Sequence, residues 1–556
     1  MGRVFDEWVS NSPLTPQTFV DVSQIVRSNR SFSEVTSLDY GDHGLEGAIV
    51  SILDAMSNGR RIALYADYDV DGTMSCVSWI WFLKSLNYEN FIHYIPCRFK
   101  EGYGLNKKAL GHLIDKENAE LIITMDCGIT SKDEIAYCIE RGIPVVCTDH
   151  HKILEDRFPE NCAILNPKLH PLPDYQELCG AGITFVLLRK LGPRLQAWPQ
   201  FSDCEIPWQD ILALVGMATI CDMVPLNLGV NHRLAQMGVK ALNQSKRPVL
   251  KGLMKGAASF VKDESDVGFR LGPRINAVGR LHHADKVIEA FSKEEPSELI
   301  DLMEKLNDER KSIQERISVE AIEAAKAYQG ENLVLVLGSK DWHQGVVGIS
   351  ASRIKDMFWR PVLLFQELEG GICKGSARSI EGYDIVEAIQ SCGGLFSTFG
   401  GHHAAAGFKF HIEHLSEIRQ ALHKHAEESY NSYPEIWTSR VRYDCLLPPH
   451  LVDLDICDHL HELKPFGHKF GEPLFRIQGD VQDVRFYNDK LTGEPKHTAI
   501  TLASKNKIMF FNEVFGDIKA GHSCEFLVTL SKNVWTKFSG EKVVSLNMFG
   551  KDYSIQ

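Results

Sequence analysis

Three short apolar runs that each lead into acidic residues constrain the fold of this chain more than any other feature. The runs, each with the acid that follows it, are residues 61–65 before Asp67, residues 121–125 before Asp126 and residues 143–147 before Asp149. Such runs predict buried strands, and the amphipathic stretches between them predict helical crossovers. Residues 60–290 are therefore predicted to form a parallel sheet that carries acids at the carboxyl ends of its strands.

These acids occur in groups whose mutual repulsion requires a cation. The first run delivers Asp67, Asp69 and Asp71 at alternate positions, just before a glycine. Three carboxylates cannot share one dry pocket unless a cation offsets their repulsion. The third run adds two imidazoles, because Asp149 is followed by His150 and His151.

A fourth acid, Asp222, ends the apolar run at residues 211–221, which is predicted to be helical. Carboxylates with one or two imidazoles suit Mn²⁺ or Mg²⁺ better than zinc, since no cysteine has ligand spacing. Several acids in one site allow two ions about 3.5–4 Å apart. An isolated Asp-x-Asp-Gly is usually a turn and an isolated His-His a surface pair, so the prediction depends on all four sets occurring together.

The bulk properties fit a chain of two to four globular domains, as 556 residues are too many for one core. We predict no membrane span, because no window approaches 18 apolar residues, and no signal peptide. The 14 cysteines include no C-x-x-C pair, which predicts reduced thiols and a cytoplasmic location. The net charge of −13 argues weakly against a nucleic-acid partner, although a local basic groove can coexist with it.

After residue 295 the sequence pattern changes to a polar stretch, then to a second α/β block and finally to short alternating segments. From residue 296 to about 328 a polar stretch with one apolar stripe predicts a long helix, which either connects two domains or packs on its own domain. A second α/β block begins at Leu333. After Trp437, short alternating segments that include 445–447, 474–477 and 524–528 predict a small β-barrel.

The acidic sets resemble the four successive motifs of the DHH phosphoesterase superfamily, and the chain is most similar to its RecJ family of bacterial exonucleases. Further matching segments occur in order between residues 60 and 410. They are Ile95–Arg98, Glu101–Leu105, Leu178–Gly182, Gly272–Arg280, Trp342–Ile349, Lys374–Ser379 and Gly400–Gly407. Segments 463–467 and 472–475 resemble the entry to the family's oligonucleotide-binding barrel.

The resemblance implies four parts: a lead and DHH domain at residues 1–295, a connecting helix at 296–330, a DHH-associated α/β domain at 331–435 and a barrel at 436–556. It implies metal ligands at Asp69, Asp71, Asp126, His150 and Asp222, with Asp126 as the bridge. Asp67, Asp149 and His151 would orient the ligands or touch the scissile phosphate. The implied DNA and phosphate contacts are Arg98, Tyr103, Asn276, Arg280, Ser376, Arg378 and His402, of which Arg98, Ser376 and Arg378 would hold a 5′-terminal phosphate.

The function that the resemblance implies is two-metal hydrolysis of single-stranded DNA from the 5′ end, releasing 5′-mononucleotides in recombination and repair. Two alternatives stay open: a DHH-type hydrolase of short oligonucleotides or cyclic dinucleotides, and an inactive DNA-binding scaffold. The implied partners are single-stranded DNA, a single-stranded-DNA-binding protein and a helicase, and the implied state is a monomer.

Overall fold

The predicted parallel sheet forms the centre of the first domain. The computed structural model describes residues 5–35, 38–255, 260–327, 333–489, 492–536 and 541–556. An N-terminal segment supplies β1 (Glu7–Ser10) and α1 (Phe19–Asn29), and the sheet consists of β2 (Ile62–Ala66), β3 (Phe91–Tyr94), β4 (Leu121–Met125), β5 (Val145–Thr148) and β6 (Ala163–Leu165). The order β3-β2-β4-β5-β6 makes β2, β4 and β5 neighbours. β5 begins two residues later than the apolar run, after Pro144, which has no amide hydrogen to donate.

Helices cover both faces of this sheet. They are α2 (Leu45–Ser57), α3 (Val70–Ser85), α4 (Lys107–Asp115), α5 (Lys132–Glu140), α6 (Gly180–Gln196), α7 (Trp208–Cys221), α8 (Gly229–Gln244), α9 (Pro248–Lys255), α10 (Glu264–Asp266), α11 (Gly272–Leu281) and α12 (Asp285–Ser292). A π-helical turn, Val267–Leu271, leads into α11. α7 and α8 pack so closely that a Cβ on Gly216 would lie 2.4 Å from the Cα of Gly238. α7 ends at its C-cap, Asp222.

The long helix α13 (Ser297–Ala327) joins two separate cores. Met303 and Leu306, in its first half, pack into the core of the first domain. Ile317, Ala321 and Ala325, in its second half, pack into a core of the next domain. Of the two predicted roles, the connecting one is correct. The predicted boundary at residues 330 and 331 lies outside the described residues.

The second domain contains a mixed sheet of five strands in the order β10-β11-β9-β8-β7. Its elements are β7 (Leu335–Ser339), α14 (Val347–Phe358), β8 (Val362–Glu367), β9 (Ile372–Arg378), α15 (Ile385–Gln390), β10 (Phe396–His402), β11 (Ala405–His411) and α16 (Leu415–Ser432). α15 and α16 cover one face of the sheet. α14 covers the other face over β7 and β8 and also packs against β9, where Gly348 lies beside Ser376 and Arg378. Ser376 and Arg378, at this contact, and His402 on β10 are phosphate-binding candidates.

The C-terminal region forms the predicted closed barrel, with strand order β13-β14-β15-β17-β16. Its elements are β12 (Arg440–Tyr443), α17 (Leu454–Glu462), β13 (Phe475–Asn488), β14 (Pro495–Leu502), β15 (Lys507–Phe510), β16 (Ser523–Thr536) and β17 (Lys542–Ile555). The predicted segment 445–447 is not a barrel strand. Leu446 makes a single parallel bridge to Arg476, and Cys445 and Leu447 are buried beside the barrel.

The N-terminal segment ties the barrel to the rest of the molecule. β1 pairs in parallel with β12. The barrel core also includes Val22 and Val26 of α1 and Ala235 of α8. Arg30 forms an ion pair with Asp444, which is 1% exposed. Asp444 also accepts hydrogen bonds from Asn29 Nδ2 (2.9 Å) and from the backbone N of Leu474 (3.0 Å).

Replacing Asp444 with alanine is expected to loosen the barrel, because it leaves a largely buried guanidinium without its carboxylate. Breaking such a pair costs about 3–5 kcal/mol. The earliest urea-induced transition should shift to lower concentration, and proteolysis should release the barrel first. Replacing the exposed Glu462 with alanine is the matched control. Equal urea profiles for the two variants would show that Asp444 does not hold the barrel.

In the described part of the chain, we find no helix that combines the length and the apolar character needed to cross a bilayer.

Candidate active site

The acidic sets meet at one edge of the parallel sheet. Asp67 follows β2, Asp126 follows β4 and Asp149 follows β5 without intervening loops. Because these strands are adjacent and parallel, their carboxyl ends bring the three acids together. Asp126 adopts a left-handed backbone conformation, with φ of 59°. The hydroxyl of Tyr103 donates to the Asp126 carbonyl at 3.0 Å and supports this turn.

Asp69 and Asp71 lie at the start of α3. The Asp69 carboxylate caps this helix by accepting hydrogen bonds from the backbone N of Asp71 (2.8 Å) and of Gly72 (3.1 Å). Asp71 is 1% exposed and accepts from the backbone N of Gly180 (2.5 Å) and of Ala181 (2.7 Å). A Cβ on Gly180 would lie 2.9 Å from that of Asp126, so only glycine fits there. The start of α6 therefore orients Asp71.

His150 lies at the centre of the cluster. Its Nε2 is 3.1 Å from Asp126 Oδ1, 3.5 Å from Asp222 Oδ2 and 3.6 Å from Asp71 Oδ2. None of these contacts has the geometry of a hydrogen bond. Among the buried side-chain atoms without a hydrogen-bond partner are His150 Nε2, Asp126 Oδ1, Asp222 Oδ2 and Asp67 Oδ1. Unpaired buried polar atoms are costly, so their convergence indicates a site for an ion.

Three overlapping groups of side chains have ligand atoms within 4.8 Å of one another. The groups are Asp126 with His150 and His151, Asp71 with His150 and Asp222, and Asp67 with Asp69 and Asp126. Asp126 and His150 each belong to two groups, which is the arrangement that two neighbouring ions require. All donors are oxygen or nitrogen atoms, and this set fits Mn²⁺ or Mg²⁺.

The pKa shifts within the cluster also indicate a site for a cation. Burial, followed by the neighbouring carboxylates, raises the pKa of Asp71 to about 7 and raises the pKa of Asp67, Asp126 and Asp222 well above the usual range. Burial and the neighbouring His151 lower the pKa of His150 to about 3. The imidazole of His150 is therefore neutral and able to bind a metal, while the carboxylates need a cation to ionise together.

Asp149 pairs with His151, which belongs to one of the three ligand groups. The Asp149 carboxylate bonds His151 Nδ1 (2.8 Å) and accepts from the backbone N of His151 (3.0 Å) and of Ile129 (2.9 Å). Burial raises the pKa of Asp149 and lowers that of His151, but their hydrogen bond and opposite charges outweigh burial in both. With its oxygens engaged in this way, Asp149 fixes the orientation of His151.

The acids face a cavity of about 350 Å³ whose other wall is basic. The lining residues are Asp67, Tyr68, Asp69, Arg98, Tyr103, Asp126, His151, Cys221, Asp222, Asn276, Gly279 and Arg280. The Arg280 guanidinium donates to the carbonyl of Gly345 in the second domain at 3.2 Å. Its pKa is lowered to about 10 by burial and by repulsion from Arg98, Arg310 and Arg378. A cluster of half-buried cations beside the acids suits a phosphodiester.

The second domain supplies the remaining predicted contacts. Arg378 donates to Ser376 Oγ at 2.6 Å, and both lie against Gly348 at the beginning of α14. A helix N-terminus favours bound anions. Burial and repulsion from Arg98 lower the pKa of Arg378, so the two guanidinium groups are near each other. His402 is near enough to His151 for charge repulsion to contribute, after burial, to its lowered pKa.

The structure thus brings the predicted acids and histidines into one cluster and the predicted basic residues around it. Tyr103, predicted as a DNA contact, has its hydroxyl against Asp126 and 3.0 Å from His151 Nδ1. Sequence reasoning missed the roles of Gly180 and Ala181, although the run of small residues at 180–182 is the signal for amide donors. It also missed Glu101, whose carboxylate holds the Arg98 loop through the backbone N of Cys97 (2.7 Å).

Each of the three domains matches a known protein family. The DHH family N-terminal domain matches residues 61–218, the DHHA1 domain matches residues 330–428 and the RecJ OB domain matches residues 443–547. The chain superposes with a TM-score of 0.82 on RecJ from Thermus thermophilus in complex with Mn²⁺, at 27% identity, covering 99% of this chain and 79% of that one. The same Thermus protein has also been solved with Mg²⁺ (TM-score 0.76, 25% identity, 98% and 78% covered).

Two curated relatives align with most of the chain. The single-stranded-DNA-specific exonuclease RecJ of Escherichia coli is 33% identical over 451 residues, which are 78% of this chain and 77% of the relative. The protein of the same name from Bacillus subtilis is 32% identical over 528 residues, which are 91% of this chain and 64% of the relative. The chain thus spans somewhat less than two thirds of the Bacillus protein.

Proposed function

Because this chain belongs to the RecJ family of the DHH superfamily, we propose that it is a metal-dependent exonuclease that degrades single-stranded DNA. One observation carries this proposal: a cluster of unpaired carboxylates and a neutral imidazole opens onto a cavity with a basic opposite wall. The cluster is suited to divalent ions and the basic wall to phosphates. The two needs of phosphodiester hydrolysis are therefore met in one cleft.

We assign the metal ligands as Asp69, Asp71, Asp126, His150 and Asp222, with Asp126 shared between two ions. When bound, Mn²⁺ or Mg²⁺ would lower the pKa of a water to give hydroxide and offset the charge on the phosphate oxygens. The backbone amides of Gly180 and Ala181 hold Asp71 toward the cluster. Asp67 would add negative charge at the edge of the acidic cluster. Asp149 keeps His151 oriented toward Asp126.

The basic side chains position the strand. Arg280 and Asn276 on α11 line the cavity opposite the acids and would hold the scissile phosphate. His402 would contact the backbone beside them. Arg98, Ser376 and Arg378 would hold the terminal phosphate at the beginning of α14, and a strand that ends there presents its first internal bond to the acids. This geometry supports 5′ to 3′ polarity and the release of 5′-mononucleotides.

Digestion of 5′-labelled and 3′-labelled single strands with Mn²⁺ tests the proposal. We expect the 5′ label to appear at once as a mononucleotide, while the 3′ label appears in a descending ladder. The Asp126→Ala variant should release neither. Loss of the 3′ label first would contradict the polarity, and activity only on strands of a few nucleotides would favour a hydrolase of short substrates.

Replacing Arg378 with alanine is expected to reduce the preference for 5′-phosphorylated over 5′-hydroxyl strands by about tenfold or more, because one charge-assisted contact is lost. The ratio of kcat/KM for the two strands measures this preference. The exposed Arg353 on α14 provides the control, since its alanine variant removes the same charge away from the site. An unchanged ratio in Arg378→Ala would remove the assignment of Arg378 to the terminal phosphate.

We further propose that the protein acts in DNA recombination and repair, with a single-stranded-DNA-binding protein and a helicase as partners. We propose that it works as a monomer, since both walls of the cleft come from one chain. The cytoplasmic location stays a prediction.

A further inference from the structure

Two lysines beyond the terminal-phosphate residues lie on the same face of the second sheet, the face opposite α15 and α16, which is called the open face below. On β9, Cys373 and Ala377 are buried in the core beneath α15 and α16. Because side chains alternate along a strand, Lys374, Ser376 and Arg378 point to the opposite face. On β11, Phe408 and Phe410 are in the same core, which places Lys409 on the open face with them.

The register of the strands arranges this face in three rows. Residues that are directly opposite in a ladder share a face and lie side by side. The rows across β10, β11 and β9 are His402–Ala405–Arg378, then Gly400–Gly407–Ser376, then Thr398–Lys409–Lys374. Successive rows are about 6.8 Å apart, since each is two residues further along. The first two rows contain Arg378 and Ser376, which are assigned to the terminal phosphate together with Arg98, and His402, which is assigned to the backbone.

The middle row leaves room for a ligand. A Cβ built on Gly400 meets nothing within 4 Å, and one built on Gly407 reaches only the Gly400 carbonyl at 4.0 Å. The glycines thus form an open floor between Arg378 in the first row and the two lysines in the third. Groups attached to a phosphate at Ser376 can extend along this floor.

The third row has uncompensated positive charge. Lys374 and Lys409 are directly opposite each other, an arrangement of like charges that weakens a sheet. Two acids near the ends of β8 and β11 pair elsewhere, Glu367 with Lys340 and Glu413 with His411. Burial and repulsion from Arg98 and Lys409 lower the pKa of Lys374. Among the described residues, neither lysine has a carboxylate partner, so this row is suited to an anion.

We propose that Lys374 and Lys409 form a subsite for the outer phosphates of a strand whose 5′ end carries a diphosphate or triphosphate. The inference rests on the proposed function, and in particular on the terminal-phosphate site at Arg98, Ser376 and Arg378. The innermost phosphate occupies that site, and the outer ones extend over Gly407 to the two ammonium groups. Ligands of this class are strands started from a nucleoside triphosphate.

The chemistry of the first turnover then differs from that of later ones. Water attacks the phosphorus that joins the first two nucleotides, the bond from phosphorus to the first 3′ oxygen breaks, and that oxygen takes up a proton. The first nucleotide leaves as a nucleoside 5′-triphosphate with its anhydride bonds intact. The second keeps a 5′-monophosphate, so all later products are mononucleotides.

The test uses one DNA sequence with a 5′-hydroxyl, 5′-monophosphate or 5′-triphosphate end, digested by the full chain with Mn²⁺ in excess over all phosphates. We expect wild type to release one nucleoside triphosphate per triphosphate strand, at about the rate of the monophosphate strand. The Lys374→Gln/Lys409→Gln variant should slow release from the triphosphate strand about tenfold or more and leave the monophosphate strand within about twofold. Lys424→Gln, on α16 behind the sheet, is the matched control.

Two results would overturn the inference. One is a wild-type protein that does not cut the triphosphate strand. The other is a double variant that slows both phosphorylated strands equally, as the loss of lysines that bind the DNA backbone would do. Lys409→Gln alone, at an exposed position, serves if the double variant does not fold. If wild type cannot digest even the monophosphate strand, the proposed function itself fails. Competition by inorganic tripolyphosphate separates binding of the phosphate chain from binding of the DNA attached to it.

Discussion

The exonuclease rate of an Asp126→Asn variant is expected to fall by about 10³-fold or more. Asp126 belongs to two of the three ligand groups, and its Oδ1 has no hydrogen bond. Asparagine keeps the size of the side chain but removes the charge and one of the two oxygens that a shared ligand must provide. Single-turnover digestion measures the rate, and titration with Mn²⁺ measures the affinity, which should fall in parallel.

Two controls separate loss of the ion from loss of the fold. Asp133→Asn removes an exposed charge from α5 and should leave both quantities unchanged. In the presence of a chelator, Asp126→Asn should unfold at a temperature no lower than wild type, because burial and the neighbouring carboxylates raise the pKa of Asp126 and make its charge costly. If the variant keeps its rate and its Mn²⁺ affinity, Asp126 is not a ligand.

Stabilisation of the protein by Mn²⁺ is expected to increase steeply from pH 5 to pH 8. Burial raises the pKa of Asp71 to about 7 from an ordinary value of 3.8. A carboxyl group whose folded pKa is raised costs stability above that pKa, and the cost is relieved as the pH falls toward the unfolded value. For Asp71 alone the cost at high pH is roughly 4 kcal/mol, at about 1.36 kcal/mol for each pKa unit.

The affinity for Mn²⁺ should also increase as the pH rises. At pH 8 it neutralises repelling carboxylates, whereas at pH 5 it must displace their protons, so its affinity should fall about tenfold per pH unit for each proton displaced. His150 opposes the trend in metal-free protein, because its lowered pKa of about 3 costs stability as the pH falls below 6.5. The quantity to measure is therefore the difference in melting temperature with Mn²⁺ and with chelator, at each pH.

The Asp71→Asn variant supplies the comparison for this experiment. It should show weaker stabilisation by Mn²⁺ and a flatter dependence on pH, since the group with the raised pKa is gone. Stabilisation that is the same at pH 5 and pH 8 in wild type would mean that the buried carboxylates do not bind the ion.

The parts of the fold that could be predicted are those in which local pattern and burial agree. β2, β4 and β5 are mostly apolar and buried throughout because helices cover both faces of their sheet. Once these strands are parallel neighbours, the acids after them must share an edge. The convergence of Asp67, Asp126 and Asp149 therefore followed from strand order alone.

Other features depend on contacts between distant segments, and no local pattern specifies them. β1 pairs with β12 across more than 400 residues of sequence, and Asp444 looks like any other acid until Arg30 is placed beside it. The pairing of Lys374 with Lys409 depends on a strand register that the glycine-rich segment 400–407 does not encode. Asp126 takes a left-handed conformation that Tyr103 and the surrounding loops support.

The two ends of α13 are anchored in different cores. Under the proposed function, the helix would therefore help to set the distance between the acids of the first domain and the side chains of the second domain that receive the strand end. A strand would advance only until its end meets those side chains, and the bond then beside the acids would be set by that distance, whatever the bases are. Cutting in uniform steps would in this sense be a mechanical property of the scaffold.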